Sequence, residues 1–466
     1  MDASTTTLDV LVIGAGVSGL TAAYELGKRG TAVAIADAGP DPGGVIGTRE
    51  RDGFLYETGA NSALDTSPAL DALFDELGIL GERRDAGPNG SNRFIVRDGR
   101  LVALPTSPGA FLTTRAFTLA AKLRLLREPF VAPAPAQAEE TIADFVRRRL
   151  GREFLDYAID PFVSGIYAGD PERISVPAAF PKLFALEQKH GSLIRGQIMG
   201  ARERRRRAET SKNAARSFSF AAGMKTLPEA LARRIARYDR GVRVTSIARA
   251  ADGLEVQGIR AGTGVRYRAR RVVCATAAHA AAPMFASAAP ALARALAAIE
   301  YAPVCVVASA YRRDRVAHAL DGFGVLVPRR ERRRILGTLF SSSLFEGRAP
   351  AGHVLLTTFA GGRRNPEVTA LDDEALAKTV GEELGALLGA REPLWNEIVR
   401  WAHAIPQYTI GHLARVAAVD EAAAALPGLG FCANWRGGVS FGDCIRNGQA
   451  TAEAVARSLA PAAQAA

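Results

Sequence analysis

The chain has 466 residues, of which 48% are hydrophobic and 23% charged, and its net charge at pH 7 is +11. This length allows two or three compact units of about 150 residues each, and the hydrophobic content excludes a disordered chain. The positive charge attracts anions, but no aromatic residues interleave with the basic runs, so we expect no nucleic-acid partner.

The N-terminal residues do not resemble a secretion signal. Residues 1–8 are short and polar, and no basic start precedes an apolar stretch. The longest uncharged run, 272–293, is rich in alanine and broken by Pro283 and Pro290, which predicts strand, loop and helix instead of a membrane span. We therefore expect a cytoplasmic protein.

The first predicted elements form a strand, helix, strand unit. A branched apolar run at residues 8–13 predicts a strand, residues 18–30 predict a helix, and residues 33–36 predict a second strand. This order is typical of a nucleotide-binding fold built on a parallel sheet.

A glycine pattern joins the first strand to the helix. Gly14 permits a tight turn, Gly16 lets a pyrophosphate approach the backbone, and Gly19 allows the helix to pack closely on the strand. Asp37 ends the second strand roughly twenty residues on, where its carboxylate can accept hydrogen bonds from a ribose diol. We predict a dinucleotide site here, with Ala38 beside Asp37 as a further contact.

The rest of the chain is predicted to alternate between helical and strand-rich regions. Residues 65–80 predict a helix that starts at Ser67-Pro68, and residues 107–205 predict basic helices interrupted by prolines. Residues 428–458 predict a short strand, a glycine-rich loop and a final helix. The intervening strands are predicted at 242–247, 253–259, 271–275, 303–308, 324–327 and 354–359.

The four cysteines give no sign of a metal or redox site. Cys274, Cys305, Cys432 and Cys444 form no CxxC pair, and no histidine lies at metal-ligand spacing from them. We expect reduced, structural thiols and no bound metal.

Several segments beyond the glycine pattern resemble one superfamily of flavoproteins. They are Gly43-Gly44 with residues 54–59, residues 223–231 and 272–276, and the C-terminal residues 432–448. Together they resemble the amine oxidase and phytoene desaturase-like FAD proteins, which implies FAD as the cofactor. The residues implied as FAD contacts by this resemblance are Gly43, Gly44, Val244, Ala275, Asn434 and Val439.

Two positions depart from the pattern of that superfamily. Asp41 stands where an arginine usually precedes the glycine pair, and Ala433 stands where a glycine is usual. The first departure removes the usual arginine contact to the nucleotide.

Five further segments resemble the protoporphyrinogen oxidase family. They are residues 92–95 with 104–105, 161–169, 322–328, 336–343 and 357–362, so the resemblance covers nearly the whole chain. It implies an oxidoreductase of haem biosynthesis that acts on CH–CH groups and takes hydride from protoporphyrinogen IX onto FAD. The electrons then pass to oxygen, which gives hydrogen peroxide, or to a quinone or another acceptor, and the sequence does not choose between them.

The same resemblance implies roles for individual residues. Arg93 would pair with a substrate propionate, a contact that suits guanidinium geometry. Leu326 and Leu339 would sandwich a pyrrole ring, Phe359 would stack on another, and Gly165 would offer backbone to the macrocycle. Asn61 would help orient the substrate, so Asn61 and Arg93 are the candidate catalytic residues.

The predicted fold is α/β and α+β, with three units. A discontinuous Rossmann-type FAD-binding domain takes residues 1–85, 218–290 and 414–466. A mixed-sheet substrate-binding domain takes 86–92, 206–217 and 291–413, and an inserted helical domain takes 93–205. The family resemblance implies peripheral contact of the helical domain with the inner face of the cytoplasmic membrane, hand-over of product to ferrochelatase, and a homodimer.

Alternative functions stay open at this point. A related branch oxidises coproporphyrinogen III, and extra cations in the pocket would favour it. Another FAD amine oxidase or desaturase, or a non-catalytic FAD-binding scaffold, is also compatible with the flavin motifs. The arginine runs at 202–207, 312–315 and 329–334 are either solvated surface or attract anionic lipid or a polycarboxylate substrate.

Overall fold

A computed structural model describes residues 5–135, 138–199 and 216–460 of the chain. Most of its strands lie in two large sheets. In chain order the strands are β1 (Thr5–Ile13), β2 (Val33–Asp37), β3 (Thr48–Arg51), β4 (Phe54–Glu57), β5 (Ala63–Leu64), β6 (Arg83–Asp85), β7 (Arg93–Arg97), β8 (Arg100–Ala103), β9 (Ser217–Phe220), β10 (Tyr238–Arg240), β11 (Val242–Ala250), β12 (Gly253–Arg260), β13 (Thr263–Cys274), β14 (Tyr301–Arg312), β15 (Gly324–Leu326), β16 (Ile335–Leu339), β17 (His353–Gly361), β18 (Trp395–Pro406) and β19 (Leu429–Phe431).

The helices are mostly short, and the longest stand near the C-terminus. The α-helices in the described ranges are Val17–Lys28, Pro68–Glu76, Pro108–Thr113, Leu119–Leu125, Ile142–Arg149, Arg152–Phe154, Asp160–Tyr167, Val176–Ala179, Pro181–His190, Thr226–Arg233, Ala278–Ala281, Pro290–Ala297, Ser341–Leu344, Asp373–Leu388, His412–Ala423 and Phe441–Leu459. A π-helical stretch, Leu155–Ile159, runs into the helix Asp160–Tyr167.

The first sheet, which we call the nucleotide sheet, is parallel at its centre. β1 lies between β2 and β13, β10 and β19 extend these parallel pairs, and β12 and β11 add an antiparallel edge. Residues of β1 are buried on both faces because helices and further strands cover each side, which explains its unbroken apolar run. The predicted strand, helix, strand unit and the α/β fold are confirmed.

The second sheet has the order β18-β14-β17-β16-β15-β7-β8 and is mostly antiparallel. One of its faces forms a core with the helix Asp373–Leu388, into which Val96, Val325 and Phe340 are buried. Residues one position away along each strand point to the opposite face, because strand side chains alternate.

The helical region has its own core. Helices between residues 108 and 190 bury a set of aromatic residues, in which the rings of Phe117 and Phe154 stack with centroids 4.4 Å apart. The buried guanidinium of Arg149 pairs there with Glu128 at 2.9 Å and with Glu187 at 2.5 Å. A buried charge paired on two sides and hydrogen-bonded avoids the cost of an isolated one.

One predicted boundary differs from the structure. Residues 93–103, assigned from the sequence to the helical domain, form the hairpin of β7 and β8 in the second sheet. Asp98 and Gly99 connect the two strands with φ of 52° and 75°, the positive values that a two-residue hairpin turn requires. The helical unit therefore starts near residue 104, and the three-part division otherwise remains a prediction. The predicted segment 206–217 and the run 202–207 lie almost entirely outside the described residues.

Each of the described helices is too short or too polar to cross a bilayer.

Candidate active site

The junction between β1 and the first helix is closed by glycines. A Cβ added to Gly19 would lie 2.1 Å from the carbonyl oxygen of Gly14 and 2.8 Å from the Cβ of Ala275. Gly14 itself has φ of 105°, a value that side-chain-bearing residues rarely adopt. Ala275 is held there because its N–H donates to the carbonyl of Ile13 at 2.7 Å. The predicted residues Gly14, Gly19 and Ala275 therefore form one contact point.

Gly16, by contrast, faces open space. A Cβ built on it would meet no protein atom within 4 Å. The helix that follows has no side-chain cap and no acidic residue in its first turn, so its first N–H groups and positive end are free for an anion. The cradle at Gly16 fits the pyrophosphate of FAD.

The second glycine pair lies against the first glycine pattern. The N–H of Gly43 donates to the carbonyl of Ala15 at 2.8 Å, and Gly43 forms a bridge with Gly16. A Cβ on Gly44 would stand 3.5 Å from the Cα of Gly16. The two patterns, nearly thirty residues apart in sequence, border the same cradle.

Asp37 has a role in the protein that the sequence did not predict. Its Oδ2 accepts the N–H of Ala15 at 2.8 Å, and its Oδ1 accepts the N–H of Gly39 at 2.7 Å. Each carboxylate oxygen keeps a further lone pair, so the acceptor expected for a ribose diol is still present. Ala38 and Asp41 are exposed beside it, and Val244 is buried in the same core cluster as Ala36 of β2.

The C-terminal glycine loop is fixed by Tyr408. The Tyr408 hydroxyl donates to the carbonyl of Asn434 at 2.7 Å and accepts the N–H of Gly438 at 3.0 Å. Its ring stacks on His412, with centroids 4.1 Å apart and planes 14° from parallel. One side chain thus shapes both ends of the loop that the sequence assigned to the flavin.

His412 supports the same loop from below. Its Nε2 donates to the carbonyl of Trp435 at 2.9 Å, and its side chain is 1% exposed. Burial lowers the pKa of His412 to about 4, so the ring is neutral at pH 7. Sequence reasoning missed Tyr408 and His412 because no local pattern marks them, and they reach the loop only through the tertiary fold.

Val439 connects this loop with the predicted substrate helix. It packs against a small cluster that contains Tyr167 and Tyr408, and Tyr167 is two residues from Gly165 in the helix Asp160–Tyr167. The last helix begins directly after Val439 with a capping box between Ser440 and Asp443, which satisfies two of its free backbone N–H groups.

Four predicted substrate residues share one face of the second sheet, which we call the open face. In the register of the sheet, Arg93 of β7 lies opposite Gly324 of β15, and Gly324 lies opposite Leu339 of β16. In the same way, Leu326 of β15 lies opposite Gly337 of β16, and Gly337 lies opposite Phe359 of β17. All four of these side-chain-bearing residues are half-buried, whereas their neighbours on the other face are in the core.

Leu326 lies between two glycines. A Cβ on Gly165 would come within 3.1 Å of its Cδ2, and a Cβ on Gly337 within 3.3 Å. The helix Asp160–Tyr167 therefore covers this end of the open face at close range, with Gly165 next to Leu326.

Arg93 is a cation without a carboxylate partner among the described residues. Its guanidinium lies 5.2 Å from the centroid of the Phe323 ring, and burial lowers its pKa. A half-buried guanidinium that lacks an acidic partner gains by binding a carboxylate, because the charge is already partly desolvated.

Asn61 lies at the edge of the open face. Its Nδ2 donates to the carbonyl of Gly59 at 3.0 Å, and it lines a narrow cavity together with Leu339, Ser341 and Thr357. Asn61 therefore lies beside Leu339, and its side-chain amide donates a hydrogen bond to the backbone two residues earlier in the chain.

Trp401 is a residue of the open face that the sequence did not single out. It packs in the same cluster as Phe359, and its Nε1 donates to the carbonyl of Thr58 at 2.7 Å. Thr58 follows β4, in the segment that resembles FAD proteins, so Trp401 joins the open face to the nucleotide unit. Asp37, Ala38 and Val244 lie apart from this face.

Comparison with known proteins gives a consistent result. The sequence profile described as flavin containing amine oxidoreductase matches residues 17–456. Protoporphyrinogen oxidase 2 of Arabidopsis thaliana is 33% identical, over 96% of this chain and 93% of its own length. Coproporphyrinogen III oxidase of Bacillus subtilis (strain 168) is 27% identical, over 95% and 96%.

Solved structures show the same fold. A crystal structure of a protein from Exiguobacterium sp. 255-15 matches with a TM-score of 0.80 at 23% identity, over 98% of this chain and all of that one. Cyclohexylamine oxidase from Brevibacterium oxydans matches with a TM-score of 0.70 at 18% identity, over 97% and 99%.

Proposed function

The chain belongs to the flavin-containing amine oxidoreductase family and is an FAD-dependent oxidoreductase; within that family, we propose that it oxidises protoporphyrinogen IX to protoporphyrin IX in haem biosynthesis. Relatives named protoporphyrinogen oxidase are 30–33% identical across nearly the whole chain. The observation that carries the proposal is the open face, where a half-buried cation, which lacks a carboxylate partner among the described residues, stands at one end of a row of apolar side chains.

The proposed roles of the open face follow from its chemistry. Arg93 binds a propionate, Leu326 and Leu339 hold a pyrrole ring, and Phe359 stacks on another ring. The apolar row excludes water from the carbon that loses a hydride, which favours transfer in a dry site. Gly165 lets the macrocycle approach the helix, and Asn61 orients the substrate at the edge of the face.

The proposed FAD contacts are the glycines and loops of the nucleotide unit. Gly14, Gly16 and Gly19 with Gly43 and Gly44 form the pyrophosphate cradle. FAD, when bound, accepts the hydride that leaves the substrate carbon. The further proposed contacts are Asp37, Ala38, Val244, Ala275, Asn434 and Val439.

The charge of the open face favours protoporphyrinogen over coproporphyrinogen. On this face, Arg97 is paired with Glu153 at 2.8 Å, and its cross-strand neighbour Arg100 is exposed to solvent. Arg93 is therefore the half-buried cation of the face that has no carboxylate partner among the described residues. One free guanidinium matches a substrate with two propionates better than one with four, because each buried carboxylate needs a positive partner. Coproporphyrinogen III, the substrate named for the Bacillus subtilis relative, is the second candidate.

Steady-state assays test the proposed reaction. Protoporphyrinogen IX and coproporphyrinogen III are supplied separately to the FAD-loaded enzyme, and porphyrin fluorescence and hydrogen peroxide are followed. We expect porphyrin formation from protoporphyrinogen with three molecules of peroxide per porphyrin, since the reaction is three two-electron oxidations and we propose oxygen as the acceptor. Porphyrin formation without peroxide would contradict oxygen as the acceptor. If a quinone then supports porphyrin formation in the absence of oxygen, the quinone is the acceptor.

The helical unit supports the proposal of peripheral membrane contact. Leu112, Leu119, Leu123, Leu126 and Phe130 are exposed, the last at 82%, and basic residues lie between them. Exposed apolar side chains with intervening cations are typical of helices that lie on anionic bilayers. Flotation with anionic vesicles tests this, and replacement of Leu119 and Phe130 by serine is expected to abolish it. Ferrochelatase hand-over and a homodimer remain predictions.

A further inference from the structure

A second candidate binding site lies outside the open face and the glycine cradle. It is a cleft of about 660 Å³, a volume within the range of small-molecule pockets. Its walls come from the helix Ile142–Arg149, the π-helical stretch Leu155–Ile159 and the residues that follow β15. Five arginines line it together with three carboxylates: Arg147, Arg152, Arg329, Arg330 and Arg332, with Asp156, Asp160 and Glu172.

The fold brings together arginines that are far apart in sequence. Arg147 and Arg152 belong to the helical unit, whereas Arg329, Arg330 and Arg332 come from the arginine run 329–334. Five guanidiniums and three carboxylates line the cleft, which gives the lining itself an excess of two positive charges. Directly behind the lining, Asp144 pairs with Arg147, Asp170 with Arg329 and Arg364 with Asp160, and these three neighbours reduce the excess to one. A concave wall of one net charge concentrates ions of the opposite charge.

Four of the five arginines of the cleft pair with carboxylates, among them Arg147 with Glu172 and Arg152 with Asp156. Arg330 pairs with Asp156 at 3.2 Å, and Arg329 pairs with Asp170 at 3.0 Å. Arg332 has no carboxylate partner within salt-bridge distance among the described residues, and it adopts φ of 53°. Such exposed pairs are weak in water, so an anionic ligand competes for these guanidiniums at little cost.

The backbone of the cleft is irregular but well supported. The π-helical stretch Leu155–Ile159 forms one wall, and such stretches occur frequently at functional sites. Asp160 follows it, is 4% exposed, and its Oδ2 accepts the N–H of Arg329 at 2.7 Å. This bond holds the arginine run against the helix, so the cleft is built before any ligand arrives.

We propose that this cleft binds a small polyanion with two or more carboxylate or phosphate groups. Guanidinium groups bind both kinds of acid in a bidentate manner, so inorganic phosphates and the carboxylates of tetrapyrroles are the two sources of this chemistry. The site is separate from the proposed reaction, because neither Arg93 nor the glycine cradle lines it.

Calorimetric titration of FAD-loaded protein tests the proposal, since bound FAD fills the other phosphate-binding cradle. The probes are pyrophosphate and coproporphyrin III, with acetate as a monovalent comparison. We expect pyrophosphate to bind one to one, acetate to bind far more weakly, and the double variant Arg330→Ala, Arg332→Ala to weaken pyrophosphate at least about 100-fold, at roughly tenfold per charged contact. Arg312→Ala is the control, because Arg312 is exposed, pairs with Asp314 and lies outside the cleft.

Two results separate the sources, and two overturn the proposal. Displacement of pyrophosphate by coproporphyrin III assigns the site to tetrapyrrole carboxylates, and absence of displacement assigns it to phosphates. Failure of pyrophosphate to bind, or binding that the double variant leaves unchanged, contradicts the proposal. If the double variant does not fold, Arg332→Glu replaces it, since Arg332 is exposed and has no acidic partner to lose within the described ranges.

Discussion

The glycine junction of the nucleotide unit and the open face of the second sheet are built on different principles. At the junction the backbone leaves no room, so that a single added Cβ at Gly19 would lie 2.1 Å from a carbonyl oxygen. At the open face the positions alternate between glycine and half-buried side chains, and Leu326 occupies the space above Gly337.

This difference separates binding of the cofactor from choice of the substrate. A site made of backbone has little tolerance for substitution, because clashes with main-chain atoms cannot be relieved by rotamer changes. A site made of side chains on a rigid sheet keeps its fold when one of them changes, and only its ligand preference shifts. The junction therefore suits a ligand shared by a whole family, and the open face suits the substrate.

The largest expected effect is on folding, and it distinguishes Gly19 from Gly16 at the junction. Gly19→Ala is expected to prevent formation of a folded flavoprotein, because the overpacking costs about 3 kcal/mol or more where the neighbour is backbone. Gly16→Ala is the matched control, since its Cβ meets no protein atom within 4 Å. That variant is expected to fold and to lose FAD affinity. The flavin-to-protein absorbance ratio and thermal unfolding measure both.

Equal folding and equal flavin content in the two glycine variants would contradict the distinction between a packed glycine and a cofactor cradle.

The second effect concerns the pH dependence of the C-terminal loop. The pKa of His412 is lowered to about 4 from an ordinary 6.5, so the unfolded chain binds more protons between these values. Its contribution to stability is complete above pH 6.5 and is lost as the pH falls towards 4, a loss of about 3 kcal/mol. His412→Gln retains a donor for the carbonyl of Trp435 and removes the titration.

Urea unfolding at pH 7 and at pH 4.5 measures this effect. The wild type is expected to lose more unfolding free energy than His412→Gln between the two pH values. Parallel losses in the two proteins would show that His412 is not the titrating group.

The third effect tests the open face directly. Arg93→Ala is expected to lower kcat/KM for protoporphyrinogen about 30-fold, because a charge-assisted contact contributes about 2 kcal/mol. Flavin content and thermal stability should stay unchanged, since Arg93 has no carboxylate partner in the part of the chain that the structure describes. Arg249→Ala, an exposed position on β11 of the nucleotide sheet, is the control, and an equal loss there would rule out a specific contact.

The smallest effect concerns the hydrogen bond from Trp401 to Thr58, which joins the open face to the nucleotide unit. Trp401→Phe keeps an aromatic ring at this position but removes the indole N–H that donates to the carbonyl of Thr58. The loss of this hydrogen bond is expected to cost about 1 kcal/mol of unfolding free energy. Trp395→Phe is the matched control, because the indole Nε1 of Trp395 is buried and no described residue accepts a hydrogen bond from it. A larger loss at Trp395 than at Trp401 would contradict the assigned link.

The sequence was informative where a short pattern has one structural meaning. The spacing of Gly14, Gly16 and Gly19 after a branched strand predicts the junction, and the structure shows why Gly14 and Gly19 have to be glycine. The turn at Asp98-Gly99 carries an equally local signal, that of a two-residue hairpin. The pairing of that hairpin with β15, more than 200 residues away, has no local signal, so the boundary at residue 93 is wrong.

Other features had no local signal. Tyr408 and His412 reach the loop at Asn434 and Trp435 from 26 and 23 residues away, and Trp401 meets Thr58 across 343 residues. Such contacts depend on how separate elements pack, so periodicity and spacing cannot reveal them. The resemblance to a known family, not the pattern of any single strand, brought Arg93, Leu326, Leu339 and Phe359 together in advance.

Anaerobic mixing of the FAD-loaded protein with protoporphyrinogen IX tests the central claim most directly. The account predicts rapid bleaching of the flavin absorbance, slower in Arg93→Ala, followed by porphyrin fluorescence when oxygen is admitted. Bleaching by coproporphyrinogen III alone would assign the chain to the other reaction, and a flavin that neither porphyrinogen bleaches would contradict the proposed function.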